Sequence, residues 1–194
     1  MRPTLFVMLK EPRPGRVKTR LGRDIGMTAA ARWFRQHSAR LLRDLRDPRW
    51  QLVLAVSPDR EGLASRVWPA DLMRVAQGGG DLGVRMARLL AGAKGPVCIT
   101  GADISGLGRS HVARAFAALR GHDLVFGPAS DGGFWLVGAR HGMAVPPGLF
   151  ANVRWSGEHA LSDSLASAAT ARIALADCLR DVDRATDLEP LTGA

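Results

Sequence analysis

Two cysteines stand in 194 residues, Cys98 and Cys178, each inside an apolar segment with no second metal ligand beside it. That scarcity excludes a disulfide framework and a zinc site, and it predicts both thiols in the core. Long apolar runs are missing too. Segments such as LFVML and LVLAV fall far short of the roughly 20 residues a membrane-spanning helix needs, and the first run leads into charge rather than a small-residue cleavage site. A soluble, cytoplasmic protein is expected. The chain has no internal repeat, linker or low-complexity stretch, so one domain over residues 1–194 is expected.

Acidic residues are scarce in one place only. Residues 1–49 hold 13 Lys or Arg against 4 Asp or Glu, whereas residues 50–194 hold 14 against 14. The whole excess of +9 is therefore N-terminal. Part of it lies on a helix, MTAAARWFRQHSARLLRDLR, whose arginines fall largely opposite an apolar stripe of Ala30, Trp33 or Phe34, His37, Leu41 and Leu45, the pattern of a solvated face. The rest lies in KEPRPGRVKTRLG, residues 10–22, with five cations, two prolines and two glycines after an apolar run. Such a stretch is neither core nor a good helix. Its cations repel one another unless an anion comes to them.

Along the chain, short apolar runs alternate with helical patterns through LFVML, WQLVLAV, LMRVA, PVCIT and DLVFG. The alternation predicts an α/β fold with a mainly parallel sheet, helices on both faces, and ligands at the carboxyl ends of the strands. Four loops at those ends carry candidate chemistry. The first is the cationic loop, where Lys10, Arg13, Gly15, Lys18, Thr19 and Arg20 suit a phosphate chain. Val17 stands where a Walker A motif needs glycine, so a P-loop is excluded. In the second, QGGGDLGVRM, Gly78, Gly80 and Gly83 meet the dinucleotide spacing formally, with Asp103 further on. A simpler reading has Asp81 capping a helix with Leu82, Met86, Leu89 and Leu90 as its buried stripe. The third, PVCITGADISGL, sets Asp103 two residues past a strand, where a carboxylate can share a divalent ion with a diphosphate.

The fourth loop is GPASDGGFWLVG. Asp131 can form a hairpin turn with Gly132 and Gly133, or it can orient and deprotonate an acceptor while the glycines let substrate approach the backbone. His159 is a lesser candidate for metal or phosphate. Ser156 is expected to cap the helix after VRW. Asp181 and Asp183 either complete a metal site or cap a final short helix.

Taken in order, KEPRPGRVKTRLG, QGGGDLGVRM, GADISGL, GPASDGGFWLVG, VRWSGEHAL and LRDVDRATDL resemble one bacterial family over nearly the whole chain: proteins provisionally called nucleotide-diphospho-sugar transferases, some assigned to arsenosugar biosynthesis. The resemblance implies the Rossmann-like nucleotide-diphospho-sugar transferase fold, the A type of glycosyltransferases, also found in nucleotidyltransferases such as 2-phospholactate guanylyltransferase. It implies Lys10, Gly15, Lys18, Thr19 and Arg20 as the phosphate loop, Gln77, Gly80 and Asp81 near the base, Asp103 as ligand to Mg²⁺ or Mn²⁺, and Asp131 with Gly132 and Gly133 on the acceptor side. Val84, Ile104, Ser105, Phe134 and Gly157 depart from the family pattern, which bears on acceptor choice more than on nucleotide binding. The expected activity is metal-dependent transfer of a sugar from a nucleotide-diphospho-sugar to a small acceptor, with catalysis by Lys18, Asp103 and Asp131. Nucleotidyl transfer from a nucleoside triphosphate, releasing pyrophosphate, is the alternative enzyme reading. A basic module for nucleic acid is a third, disfavoured because no aromatics interleave with the loop cations.

Overall fold

The computed structural model describes residues 1–181 and residue 186. Its strands are β1 (Thr4–Lys10), β2 (Gln51–Ser57), β3 (Met73–Ala76), β4 (Val97–Gly101), β5 (Ile104–Ser105), β6 (Leu124–Pro128), β7 (Phe134–Ala139), β8 (Ile173–Leu175) and β9 (Arg180–Asp181). Its α-helices are α1 (Thr19–Ile25), α2 (Met27–Asp44), α3 (Asp59–Ala64), α4 (Leu82–Ala91), α5 (Arg109–Ala118) and α6 (Ala160–Ser167). Seven strands make one sheet in the order β3-β2-β1-β4-β7-β6-β8, in which β7 alone runs antiparallel to its neighbours. The mainly parallel α/β fold expected from the alternating pattern is what forms.

Strand order decides where a ligand can enter. From β1 the chain moves outward through β2 and β3, then returns to lay β4 on the other side of β1. Loops leaving β1 and β4 therefore diverge, which opens a crevice at their carboxyl ends. Met8 pairs with Gly101 across that boundary, so the chain past Lys10 and the chain past Gly101 leave from adjacent points.

Both faces of the sheet are covered because β1 alternates without a polar face. Leu5, Val7 and Leu9 join a core with Phe34 and Leu41 of α2 and Val112 and Ala115 of α5. Phe6 joins a second core with Met86, Leu89 and Leu90 of α4, against which Leu161 and Leu165 of α6 pack. Continuous apolar strands of this kind are what burial on two sides demands.

Several expectations need correction. Cys98 is buried, but Cys178 is exposed: it lies beyond the short strand β8, in a stretch of chain outside the sheet. Leu82 is 44% exposed, since it is the first residue of α4 and overhangs the sheet's edge. Ser156 caps no helix; it adopts a left-handed turn, and α6 begins only at Ala160. The end of the cationic loop is helical, because α1 starts at Thr19. Asp181 is no helix cap, since β9 pairs antiparallel with β5 and sets Asp181 opposite Ile104. Asp183 lies outside the described residues.

Candidate active site

The crevice predicted by strand order is a cleft of about 750 Å³. Its wall includes Lys10, Arg16, Lys18, Thr19 and Arg20 from the chain after β1, Gln77, Gly80, Asp81 and Arg85 around the start of α4, Gly101 and Asp103 after β4, and Asp131 and Gly133 between β6 and β7. Residues from all four candidate loops thus share one cavity. Arg13, Gly15 and Gly132 are not among those lining it.

At its centre, Lys18 Nζ lies 2.6 Å from Asp103 Oδ2. Lys18 has φ +45°, a left-handed conformation immediately before α1. That conformation costs a lysine on the order of 1 kcal/mol, and the fold sustains it while the side chain stays only 6% exposed. Asp103 is 33% exposed, so part of its carboxylate faces the cleft. A Cβ on Gly101 would lie 2.9 Å from Asp103 Oδ1. The missing side chain therefore leaves the oxygen not paired with Lys18 uncrowded. One carboxylate of this kind, joined by phosphate oxygens and water, suits Mg²⁺ or Mn²⁺. Among the described residues no group of three His, Cys, Asp or Glu could hold a metal unaided.

The loop's remaining cations are partly answered from within. Arg13 Nη2 lies 3.3 Å and Arg16 Nη1 3.7 Å from the Glu61 carboxylate. The expectation that five loop cations wait for an outside anion is corrected accordingly. Lys10, at the exposed end of β1, lines the cleft, as do Thr19 and Arg20.

The glycine-rich turn before α4 has a structural explanation. Asp81 Oδ1 accepts the Val84 N–H at 2.9 Å and caps α4. Arg88 donates to Gln77 O at 2.6 Å and to Gly79 O at 3.0 Å, and a Cβ on Gly78 would collide with the Arg88 guanidinium. These glycines serve an arginine grip on the turn. Gln77 is buried and spends its amide Nε2 on Leu9 O at 3.2 Å and Ala55 O at 2.8 Å, tying the ends of β1 and β2 together.

On the other side of the cleft, Asp131 Oδ1 accepts the Gly133 N–H at 2.9 Å, a side-chain turn that connects β6 to β7. Gly132 does not admit substrate as expected. With φ +86°, it has the Glu158 backbone where its Cβ would be, 2.3 Å away, so protein occupies the space. His159 does not line the cleft; its Nε2 lies 3.7 Å from the neighbouring Glu158.

Sequence reasoning missed other wall residues. Arg85, Phe134, Trp155, Ser156 and Gly157 all line the cleft. His37, assigned to the apolar stripe of α2, stacks on Trp33 at 4.8 Å and has its Nε2 buried without a partner among the described residues. Burial pushes its imidazole below the usual value, while the nearby Asp103 carboxylate pulls the other way. Periodicity reports that a helix position is covered, and only the return of β4 shows what covers it.

Residues 41–157 match the family model described as "Uncharacterized protein conserved in bacteria (DUF2064)". The chain belongs to this family. No curated protein matches its sequence. Among solved structures, a protein from Desulfovibrio desulfuricans G20, provisionally named a nucleotide-diphospho-sugar transferase, superposes with a TM-score of 0.82 at 28% identity, covering 95% of this chain and 84% of that one. The resemblance drawn from the six motifs agrees with it. A CMP:2-keto-3-deoxy-manno-octonic acid synthetase complexed with CTP superposes with a TM-score of 0.56 at 10% identity, covering 96% of this family member and 95% of the other. Rv0371c from Mycobacterium tuberculosis H37Rv, in complex with manganese, does so with a TM-score of 0.50 at 16% identity, covering 96% of each. The last two establish a common fold.

Proposed function

We propose that this protein is a transferase that binds the diphosphate of a nucleotide-diphospho-sugar across Lys18 and Asp103 and moves the sugar to an acceptor beside Asp131. The observation that carries the reading is the 2.6 Å approach of Lys18 to Asp103 at the switch between β1 and β4. The name of the Desulfovibrio relative, at 28% identity, supports the donor class.

In the transfer, the acceptor hydroxyl attacks the anomeric carbon, the carbon–oxygen bond to the diphosphate breaks, and the nucleoside diphosphate leaves. Charge grows on that diphosphate as the bond breaks. Lys18, with Lys10 and Arg20 along the wall, stabilises it more in the transition state than in the ground state. Asp131, whose Oδ1 is spent on its own turn, takes the hydroxyl proton on Oδ2. Asp103 would hold Mg²⁺ or Mn²⁺, which would add counter-charge to the leaving phosphates. A nucleic-acid module is less well supported, because the basic excess is partly neutralised at home: Arg46 pairs with Asp71 and Arg49 with Asp47, as Arg13 and Arg16 do with Glu61.

A thermal-shift screen of nucleotides and nucleotide-sugars, with and without Mg²⁺, tests the reading, since a ligand specific to the folded state raises the midpoint. Product analysis then decides the reaction. Free nucleoside diphosphate is expected; pyrophosphate would reassign the protein to nucleotidyl transfer. An Asp103→Asn variant with unchanged metal-dependent activity would remove Asp103 from the mechanism.

A further inference from the structure

The cleft is electrically lopsided. Every Lys or Arg in its wall comes either from the chain after β1 or from α4: Lys10, Arg16, Lys18, Arg20 and Arg85. The far end, built by residues 129–136 and 155–160, contributes one charged group to the wall among the described residues, the carboxylate of Asp131. Its other side chains are apolar or small. Phe134 stacks parallel to Phe150 at 6.3 Å and meets Trp155 edge-on at 6.2 Å, so the aromatic wall is itself braced. Trp155 in turn packs on backbone, because a Cβ on Gly83 would lie 2.8 Å from its ring. One cation near this end, Arg154, is already committed, with two side-chain bonds of 2.9 Å to Asp163.

We infer that the acceptor taken by this end is an uncharged hydroxyl compound with an aromatic or apolar ring, and that phosphorylated and carboxylated acceptors are rejected. The inference rests on the reading that donor phosphates lie by Lys18 and the acceptor by Asp131. A ring lies against Phe134 and Trp155, its burial supplying the attraction, while its hydroxyl reaches Asp131. An anionic group placed there meets a carboxylate and no counter-charge. Like charges about 4 Å apart repel by about 1 kcal/mol in water and several times that in a partly dry cleft. An acceptor carrying a phosphate would need a cation that this wall does not supply.

Benzyl alcohol and benzyl phosphate differ only by the phosphate and make a matched pair of probes. Each is titrated into the protein, with and without saturating GDP or UDP and Mg²⁺, while the indole N–H resonance of Trp155 is followed; its loss in Trp155→Phe identifies it. Benzyl alcohol is expected to shift that resonance with nucleotide present and to bind at least about tenfold more tightly there than benzyl phosphate. Gly157→Lys places a cation at an exposed position with open space around its Cβ, and it is expected to reverse the preference. Three results would overturn the inference: benzyl phosphate binding as tightly as benzyl alcohol, no movement of the Trp155 resonance, or displacement of benzyl alcohol by the nucleotide, which would assign the wall to the base. Should benzyl alcohol bind while no nucleotide does, the donor reading fails and the preference of this end stands.

Discussion

Lys18 Nζ and Asp103 Oδ2 stand 2.6 Å apart at the edge shared by β1 and β4, one arriving from the cationic loop and the other from the turn after PVCIT. The ammonium neutralises the acid that phosphates would otherwise meet. Without divalent metal, Lys18→Met is therefore expected to weaken binding of a nucleoside diphosphate by about tenfold. Adding Asp103→Asn to that variant is expected to recover part of the loss. Calorimetric titration of the two single variants and the double reads the coupling; strictly additive losses would mean the pair does not act together on the ligand.

The cleft wall separates cations that look equivalent in sequence. Lys10 lines it, and Arg13 pairs with Glu61 outside it. Lys10→Gln is expected to weaken nucleotide binding roughly fivefold, with a shallower salt dependence, whereas Arg13→Gln stays within about twofold. Equal effects would show that the wall does not control affinity.

Gly132→Ala is expected to destabilise the fold by roughly 1–3 kcal/mol, because it meets the Glu158 backbone and must hold φ +86°. Gly133→Ala is expected to cost less. A Cβ there meets the movable Asp131 carboxylate at 3.1 Å. Urea midpoints of the two variants give the comparison, and a tolerated Gly132→Ala would contradict the close approach of the two loops.

Arg154 holds Asp163 through both guanidinium bonds and its backbone N–H, which pushes the Asp163 carboxyl well below the usual carboxylate range. A lowered folded value means that the contribution is fully present above the ordinary value of 3.8 and fades as pH falls below it. Asp163→Asn is thus expected to be less stable than the parent at neutral pH, with the gap closing on acidification below that value. A gap that persists undiminished toward pH 2 would show the carboxylate's charge to be irrelevant. Because Arg154 precedes Trp155, the same variant is expected to loosen the aromatic wall.

A thiol reagent is expected to modify Cys178 in the native protein and to reach Cys98 only on unfolding, since burial also pushes the Cys98 thiol far up. Counting equivalents before and after denaturant checks this; two fast equivalents in the native state would be inconsistent with the sheet.

Much of the site could be read before any coordinates. The alternation of apolar runs and helical stripes is local, and it located the strands; loops after parallel strands then had to hold the chemistry, which singled out Lys10, Lys18, Asp103 and Asp131. The aromatic end was not legible in this way. Phe134 looks like one more strand residue and Trp155 like part of a helix start, and neither pattern says that both turn toward Asp131.

Local pattern by itself determined the α/β class, the covered helices and the loop that carries the cations. Only the tertiary structure decided which charges meet: Lys18 with Asp103, Arg13 with Glu61, Arg154 with Asp163. The reason is physical. Periodicity records which side of an element is buried, over a few residues at a time, whereas contact between distant side chains depends on strand order, on where β4 returns beside β1, and on backbone turns such as the left-handed Lys18 that aim a side chain across the gap.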